Sequence, residues 1–151
     1  MMRGAARLLA LTSLALPPLA LSPFGLAPVA YSQEPGPHLL LDLNALQPSN
    51  GGCRLTFVVA NNLATPVDRA AFEMALFNKT GVVDRLTVLD FKGLPSGKTK
   101  VSRFDLSGID CGDISRVLIN DATQCAGAGT ASNACITNLR TESKSGIQFG
   151  R

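Results

Sequence analysis

Hydrophobic and polar residues alternate with a period of two along most of the chain after residue 37. In one segment, for example, Cys53, Leu55, Phe57 and Val59 occupy alternate positions. Such alternation places apolar side chains on one face of a β-strand, and turn-forming residues separate the segments. The pattern predicts seven strands, at residues 38–46, 53–60, 67–77, 82–91, 99–106, 114–121 and 136–149.

The segment at 67–77 is the nearest to a helix, because it is rich in helix-forming residues. Three of its apolar residues, Phe72, Met74 and Leu76, are two positions apart. An amphipathic helix would repeat its apolar positions at intervals of three and four. We therefore expect a strand here as well.

Two other segments carry apolar residues on both parities, that is, at odd and at even sequence positions. In 82–91 the apolar residues shift from even positions, up to Val88, to odd positions, from Leu89 onward. This shift predicts a bulge or a bend between two short strands. In 114–121 apolar residues occur on both parities, which is typical of a central strand.

Seven short strands with regularly spaced turns predict an all-β fold, namely an antiparallel two-layer sandwich of the immunoglobulin type. Residues 38–151 are long enough for a single domain with its own core. The chain contains no Trp. Antibody domains bury a Trp against their inter-sheet disulfide, so we expect a variant of that topology.

Residues 1–32 are predicted to be an export signal. A basic start with Arg3 and Arg7 precedes an uncharged apolar segment, and small residues at Ala30 and Ser32 suit cleavage before Gln33. Cleavage after Ala30 is the second choice, and a retained membrane anchor is the alternative to cleavage. A short linker at 33–37 follows, and no later segment is apolar enough to span a bilayer.

Four cysteines, all beyond the leader, suit a protein that folds in an oxidising compartment. Their spacing lacks the C-x-x-C pairs of structural zinc sites and of redox centres. Four cysteines allow three pairings. In the predicted sandwich, Cys53 and Cys111 lie at one end and Cys125 and Cys135 at the other, which predicts bridges within each pair. A Cys111–Cys125 bridge would have to span the sixth strand, about 26 Å long, whereas bridged Cα atoms are at most about 7 Å apart.

Charge gives little support to nucleic-acid binding. The formal net charge is +3, and loss of the leader leaves twelve basic and eleven acidic residues. Nucleic-acid binders carry a clustered basic surface instead. The sequence therefore predicts no nucleic-acid partner.

The stretch from Leu55 to Leu106 resembles the secreted sandwich modules known by the FxLYD pattern. The matching pieces are VVANNLATPV (58–67), FEMALFNKTG (72–81) and LPSGKT (94–99). Phe77 and Asn78 stand where the pattern has Tyr and Asp. The whole chain is similar to small uncharacterised exported proteins of alphaproteobacteria. The resemblance implies a sandwich fold and a periplasmic setting, and it implies no catalytic residue.

Candidates for chemistry are few. His38 is the single histidine and lies beside a Pro/Gly segment, where we expect a solvated position rather than a catalytic one. Asp110 and Asp113 could supply two ligands of a calcium site or the carboxylates of a hydrolase, although Asp residues in turns commonly bind backbone amides. The loop at 126–134 lies between two cysteines and could serve as a contact surface.

The sequence therefore favours a non-enzymatic exported sandwich that acts by binding an unknown protein or envelope partner, without cofactor, in the periplasm or outside the cell. The alternative hypothesis is a metal-dependent hydrolase or carbohydrate-active enzyme that uses Asp110 and Asp113.

Overall fold

A computed structural model describes residues 36–127 and 129–151 of the chain. The predicted signal at 1–32, its cleavage site and most of the linker at 33–37 lie outside the described residues. No helix in the described ranges is long and apolar enough to cross a bilayer.

The described residues form an all-β sandwich of two four-stranded sheets, which confirms the predicted fold class. In chain order, the strands are β1 (Leu39–Ser49), β2 (Gly52–Asn61), β3 (Val67–Asn78), β4 (Val83–Leu94), β5 (Thr99–Ser107), β6 (Ile114–Ala126), β7 (Leu139–Ser143) and β8 (Gln148–Gly150). The first sheet has the order β5-β2-β1-β7 and the second has the order β4-β3-β6-β8. A 3-10 turn (Cys111–Asp113) precedes β6, and a one-turn helix, α1 (Ala134–Thr137), precedes β7.

The core lies between the sheets and is built from the alternate apolar positions of the sequence. Leu39, Leu41 and Leu43 of β1 are fully buried, as are the alternate residues of β2 and β3. Five phenylalanines pack edge to face across the core with ring centroids 4.9–6.0 Å apart: Phe57, Phe72, Phe91, Phe104 and Phe149. Edge-to-face contacts are a favoured arrangement of aromatic pairs, so the core has specific packing as well as apolar area.

The segment rich in helix formers is a strand, as its period of two predicts. Phe72, Met74 and Leu76 of β3 are completely buried and face the first sheet. Intrinsic helix propensity is a weak preference, and burial of these three side chains in the core outweighs it.

The fourth strand differs from the sequence prediction. The parity change beside Val88 predicted a bulge or bend, but β4 pairs with β3 in unbroken register from Arg85 to Asp90. Register shifts occur instead at the two ends of β4, beside Asp84 and beside Phe91. The prediction of an interruption between Val88 and Leu89 is therefore wrong.

The parity change in β4 has another cause. Leu89 points into the core and is 3% exposed, whereas Leu86 and Val88 point away from it and are 57% and 52% exposed. The strand thus carries apolar side chains on both faces without a change of direction.

The last predicted strand, 136–149, divides into three pieces. Its first residues form part of α1, and a turn with Gly146 at φ 85° separates β7 from β8. In this turn Ser143 Oγ donates a hydrogen bond of 2.8 Å to the carbonyl of Ile147. The chain therefore crosses from the first sheet to the second, so that β7 pairs in parallel with β1 and β8 pairs in parallel with β6.

Both predicted disulfides are present. Cys53 is bonded to Cys111 and Cys125 to Cys135, with Cα–Cα distances of 4.9 and 5.8 Å. The first bridge joins the start of β2 to the 3-10 turn before β6, and the second joins the end of β6 to α1. Each bridge therefore lies at one end of β6, as the strand layout predicts.

Candidate functional site

The predicted acidic site lies at the end of the sandwich that holds the Cys53–Cys111 bridge. Asp110 is the N-cap of the 3-10 turn, and its Oδ1 accepts a 2.6 Å hydrogen bond from the backbone N–H of Gly112. Asp113 lies in the same turn and is exposed. The Asp110 carboxylate thus has the turn-stabilising role that Asp commonly has in such sequences.

Asp110 and Asp113 also line a small cavity of about 120 Å³ together with Asp84, from the start of β4. The remaining walls come from Phe77, Asn78 and the Gly108–Ile109 segment. Within residues 36–127 and 129–151, no three His, Cys, Asp or Glu side chains are placed to hold one metal ion.

His38 lies at the opposite end of the sandwich, where β1 begins. Its Nδ1 lies 2.8 Å from the carbonyl of Gly36, and its Nε2 lies 3.2 Å from Nδ2 of Asn62. These contacts fit a neutral ring that donates from Nδ1 and accepts at Nε2. The imidazole thus joins the start of β1 to the turn after β2.

The loop between Cys125 and Cys135 packs against the turn at 62–66. Thr130 Oγ1 donates to the carbonyl of Pro66 at 3.1 Å and lies 3.1 Å from Oγ1 of Thr65. A Cβ at Gly127 would lie only 2.5 Å from the carbonyl oxygen of Pro66, so this close approach requires glycine. The described part of the loop is therefore held at the bridge and at this turn.

Two lysines, Lys92 and Lys100, bind groups at the bulged C-terminal end of β4. Lys100 Nζ donates to the carbonyls of Phe91 and Gly93, at 2.9 and 3.3 Å. Lys92 has a left-handed backbone, φ 62°, and both its N–H and its ammonium bind the carboxylate of Asp90.

Asp90 accepts four hydrogen bonds in total, because Arg69 also donates to its Oδ2, from Nε at 3.1 Å and from Nη2 at 2.8 Å. These hydrogen bonds, first from Lys92 and then from Arg69, hold the pKa of Asp90 far below its usual value. The cluster thus keeps a charged carboxylate at the strained end of β4.

A second ion pair lies on the first sheet. Lys144 Nζ binds Oδ2 of Asp42 at 2.5 Å, and the Asp42 side chain is only 2% exposed. The hydrogen bond to Asp42 raises the pKa of Lys144 above its usual value, and the charge of Glu142 adds to this effect. Oδ1 of Asp42 and Oγ1 of Thr56 are buried without a hydrogen-bond partner in the structure.

The surface best suited to binding is the outer face of the second sheet, by which we mean the side that points away from the first sheet. Register pairs place its residues in four cross-strand rows: Val83, Phe77, Arg116 and Gln148; Leu86, Ala75, Leu118 and Gly150; Val88, Glu73 and Asp121; and Asp90, Ala71 and Gln124. Sequence reasoning missed this face, although the apolar residues on both parities of β4 were a signal for it.

The row of Leu86, Ala75 and Leu118 forms an apolar centre of the outer face, but the exposed apolar side chains lie along the edge strand β4, and Ala75 is only 4% exposed. Val83, Leu86 and Val88 are 46%, 57% and 52% exposed, and Val82, in the preceding turn, is 59% exposed. Within the described residues, Val101 on β5 is the remaining large hydrophobic residue with comparable exposure. Exposed apolar side chains are thus concentrated on one short stretch, and contiguous apolar patches commonly mark interaction sites.

Polar groups border this apolar centre with opposite charges at its two ends. In the first row, the Arg116 guanidinium lies 5.1 Å from the centroid of the Phe77 ring, a cation–π contact. In the third row, Glu73 accepts a 2.6 Å hydrogen bond from Asn120, and Asp121 lies beside it on β6. The outer face therefore has a basic end at Arg116 and an acidic row at Glu73 and Asp121, beyond which Asp90 is paired with Arg69 and Lys92.

A shallow cavity of about 420 Å³ adjoins the basic end of the outer face. Its lining includes Phe77, Arg116, Ile147 and Gln148. An aromatic ring and a guanidinium beside a concave surface are features enriched at protein interfaces.

No family model and no curated protein matches the chain. Among solved structures, it is similar to the trimeric lipoprotein SadB of Salmonella enterica, with 21% sequence identity and a TM-score of 0.41. The match covers 46% of this chain and 40% of the lipoprotein chain. The chain thus spans less than half of the lipoprotein's length, and this similarity assigns no function.

Proposed function

We propose that the chain is a non-enzymatic binding or accessory module of the periplasm or the extracellular space, with an immunoglobulin-like sandwich. It contacts a protein partner through the outer face of the second sheet. The concentration of half-exposed aliphatic side chains on Val83, Leu86 and Val88 carries this proposal, because a sheet face exposed to water is ordinarily polar.

The scaffold supports a binding role. Two disulfides are typical of proteins that fold in an oxidising compartment. A sheet held between two such bridges presents a pre-organised surface, so it loses little conformational entropy on association.

The non-enzymatic part of the proposal is supported by the structural roles of the candidate catalytic groups. The carboxylate of Asp110 is bonded to the turn that it caps, and both ring nitrogens of His38 have partners within the fold. A catalytic base must instead reach a proton of its substrate.

A matched pair of variants tests the binding role. Leu86→Lys with Val88→Lys places two charges on the outer face, whereas Val101→Lys places one at a similarly exposed position of the first sheet. Each tagged chain is exposed to periplasmic extract, cross-linked and analysed by mass spectrometry. We expect the wild type and the Val101→Lys chain to enrich the same protein and the doubly substituted chain to lose it. Equal enrichment by all three chains would contradict the proposal.

The metal-dependent hydrolase is the second candidate, because Asp84, Asp110 and Asp113 line one cavity, although these three side chains are not placed to hold one metal ion together. Calorimetry with calcium, on the wild type and on Asp113→Asn, distinguishes the two functions. Binding that stabilises the wild type and is lost in the variant would favour the hydrolase. Absence of heat and of stabilisation in both chains would remove it.

A further inference from the structure

We propose that the outer face of the second sheet binds the same face of a second copy of this chain, with the strands of the two copies antiparallel. The inference rests on the proposed function, because it names the partner of the surface described above.

The size of the face fits a stable dimer. Strands β3, β4 and β6 have 12, 12 and 13 residues. At about 3.4 Å per residue and about 4.8 Å between strands, they form a flat area of roughly 600 Å². Side chains and β8 add to this area, which approaches the roughly 800 Å² that each partner buries in a standard interface.

The strand edge of β4 is less suited to pairing with another chain. Register shifts beside Asp84 and Phe91 restrict its regular part to six residues, from Arg85 to Asp90. Beyond Asp90, the ammonium of Lys100 already binds two backbone carbonyls of β4. Bulges and lysines are devices that prevent edge pairing, so the apolar face, and not the edge, is the surface available to a partner.

The charges of the face decide the orientation. If the strands of the two copies were parallel across the interface, the row of Arg116 would lie opposite the same row of the second copy. A two-fold axis along the row of Leu86 and Leu118, across the strands, instead brings the row of Arg116 over the row of Glu73 and Asp121 in the second copy. Opposite charges then meet on both sides of the axis, while Leu86 and Leu118 each lie opposite their own copy. A two-fold interface of this kind is isologous, as in most homodimers.

Sedimentation equilibrium of the purified chain, with both disulfides formed, provides the first test. We expect a monomer–dimer equilibrium in the micromolar range for the wild type and for Val101→Lys. The Leu86→Lys/Val88→Lys chain should bind itself at least about 100-fold more weakly, because buried unpaired ammonium groups are costly. Far-UV circular dichroism and urea unfolding establish that each variant is folded.

Charge reversal provides a sharper test that a simple loss of folding would not mimic. In Arg116→Glu and in Asp121→Arg, each homodimer contains like charges at both ends. A dimer of one chain of each kind contains opposite charges at both ends. Native mass spectrometry of the equal mixture should therefore show this mixed dimer well above the statistical half, with each variant alone mostly monomeric.

The inference is overturned if the wild type stays monomeric to about 200 µM, which excludes any dissociation constant in the micromolar range. It is also overturned if the Leu86→Lys/Val88→Lys chain dimerises normally, or if the charge-reversed mixture shows no preference. A monomer that captures another protein only when its outer face is intact would overturn the second-copy inference and leave the proposed function standing. A monomer without any face-dependent capture would overturn both.

Discussion

Asn61, the last residue of β2, connects the turn after β2 to the end of β4, and its replacement by Ala is expected to be among the most damaging single changes of a polar residue. The residue is 1% exposed although it is polar. Its Nδ2 donates to the carbonyl of Leu94 at 2.7 Å and to that of Thr65 at 3.2 Å. Its Oδ1 accepts from the N–H of Leu63 at 2.9 Å. One side chain thus joins the turn after β2 to the end of β4.

The expected cost follows from these three bonds. Two of them are buried, and the third is partly buried. A buried donor or acceptor left without its partner costs about 1–3 kcal/mol, and less where water can enter. For Asn61→Ala we expect a loss of about 3 kcal/mol in the free energy of unfolding, a large share of the 5–15 kcal/mol typical of a domain.

The adjacent residue provides a matched control. Asn62 is exposed, and its Nδ2 makes a 3.2 Å contact with His38. Asn62→Ala should change the stability by less than about 0.5 kcal/mol, as most exposed substitutions do.

Urea unfolding followed by far-UV circular dichroism measures the difference. The chain has no Trp, and its single Tyr, at position 31, lies outside the described residues, so intrinsic fluorescence would report poorly on the sandwich. With a denaturant slope typical of small domains, Asn61→Ala should lower the urea midpoint by about 2 M. A shift for Asn61→Ala no greater than that for Asn62→Ala would refute the assignment of Asn61 as the link between the turns.

Three further predictions concern a disulfide, a charge and a glycine. Replacing both cysteines of the Cys53–Cys111 bridge, which closes a loop of 58 residues, should lower the free energy of unfolding in urea by about 4 kcal/mol. The same change at the Cys125–Cys135 bridge, which closes 10 residues, should lower it by about 3 kcal/mol. The reverse order would contradict the loop-entropy argument. The lowered pKa of Asp90 means that its ion pairs stabilise the fold above the usual carboxyl pKa near 4 and that this stabilisation fades as the pH falls further. The stability gap between wild type and Asp90→Asn should thus be larger at pH 6 than at pH 2, and a gap independent of pH would count against it. In Gly52→Ala, the new Cβ would lie 2.0 Å from the backbone oxygen of Leu106 on β5, so we expect the free energy of unfolding to fall by about 2 kcal/mol or more. In the control Gly36→Ala, the new Cβ meets nothing within 4 Å, and the thermal midpoint should stay unchanged.

Much of the fold could be predicted from the sequence because strand alternation is a local property. A side chain two positions away lies on the same face whatever the neighbouring strand is, so Phe72 and Met74 could be assigned to the core from their spacing alone. The two disulfides could be predicted for a related reason: once β6 is a strand, its length separates Cys111 from Cys125.

The surface chemistry could be predicted only in part. Asp110 has the turn-capping role that its sequence context favours. The ion pair between Lys144 and Asp42 joins residues 102 positions apart, and no local pattern indicates it. The separation of His38 from Asp110, at opposite ends of the sandwich, likewise follows from the strand order.

The sequence by itself determined where the first six strands lie, which side chains fill the core and which cysteines share an end of the sandwich, because each depends on spacing along one strand. Only the tertiary structure decided that the last segment divides between two sheets and that β4 runs without interruption. It also decided that Leu86 and Val88 face water beside Ala75 and Leu118 of the neighbouring strands. A strand with apolar residues on both faces has the same sequence pattern whether its second face is covered or open. The exposure of that face depends on which strands and sheets lie beside it and not on the order of the strand's own residues.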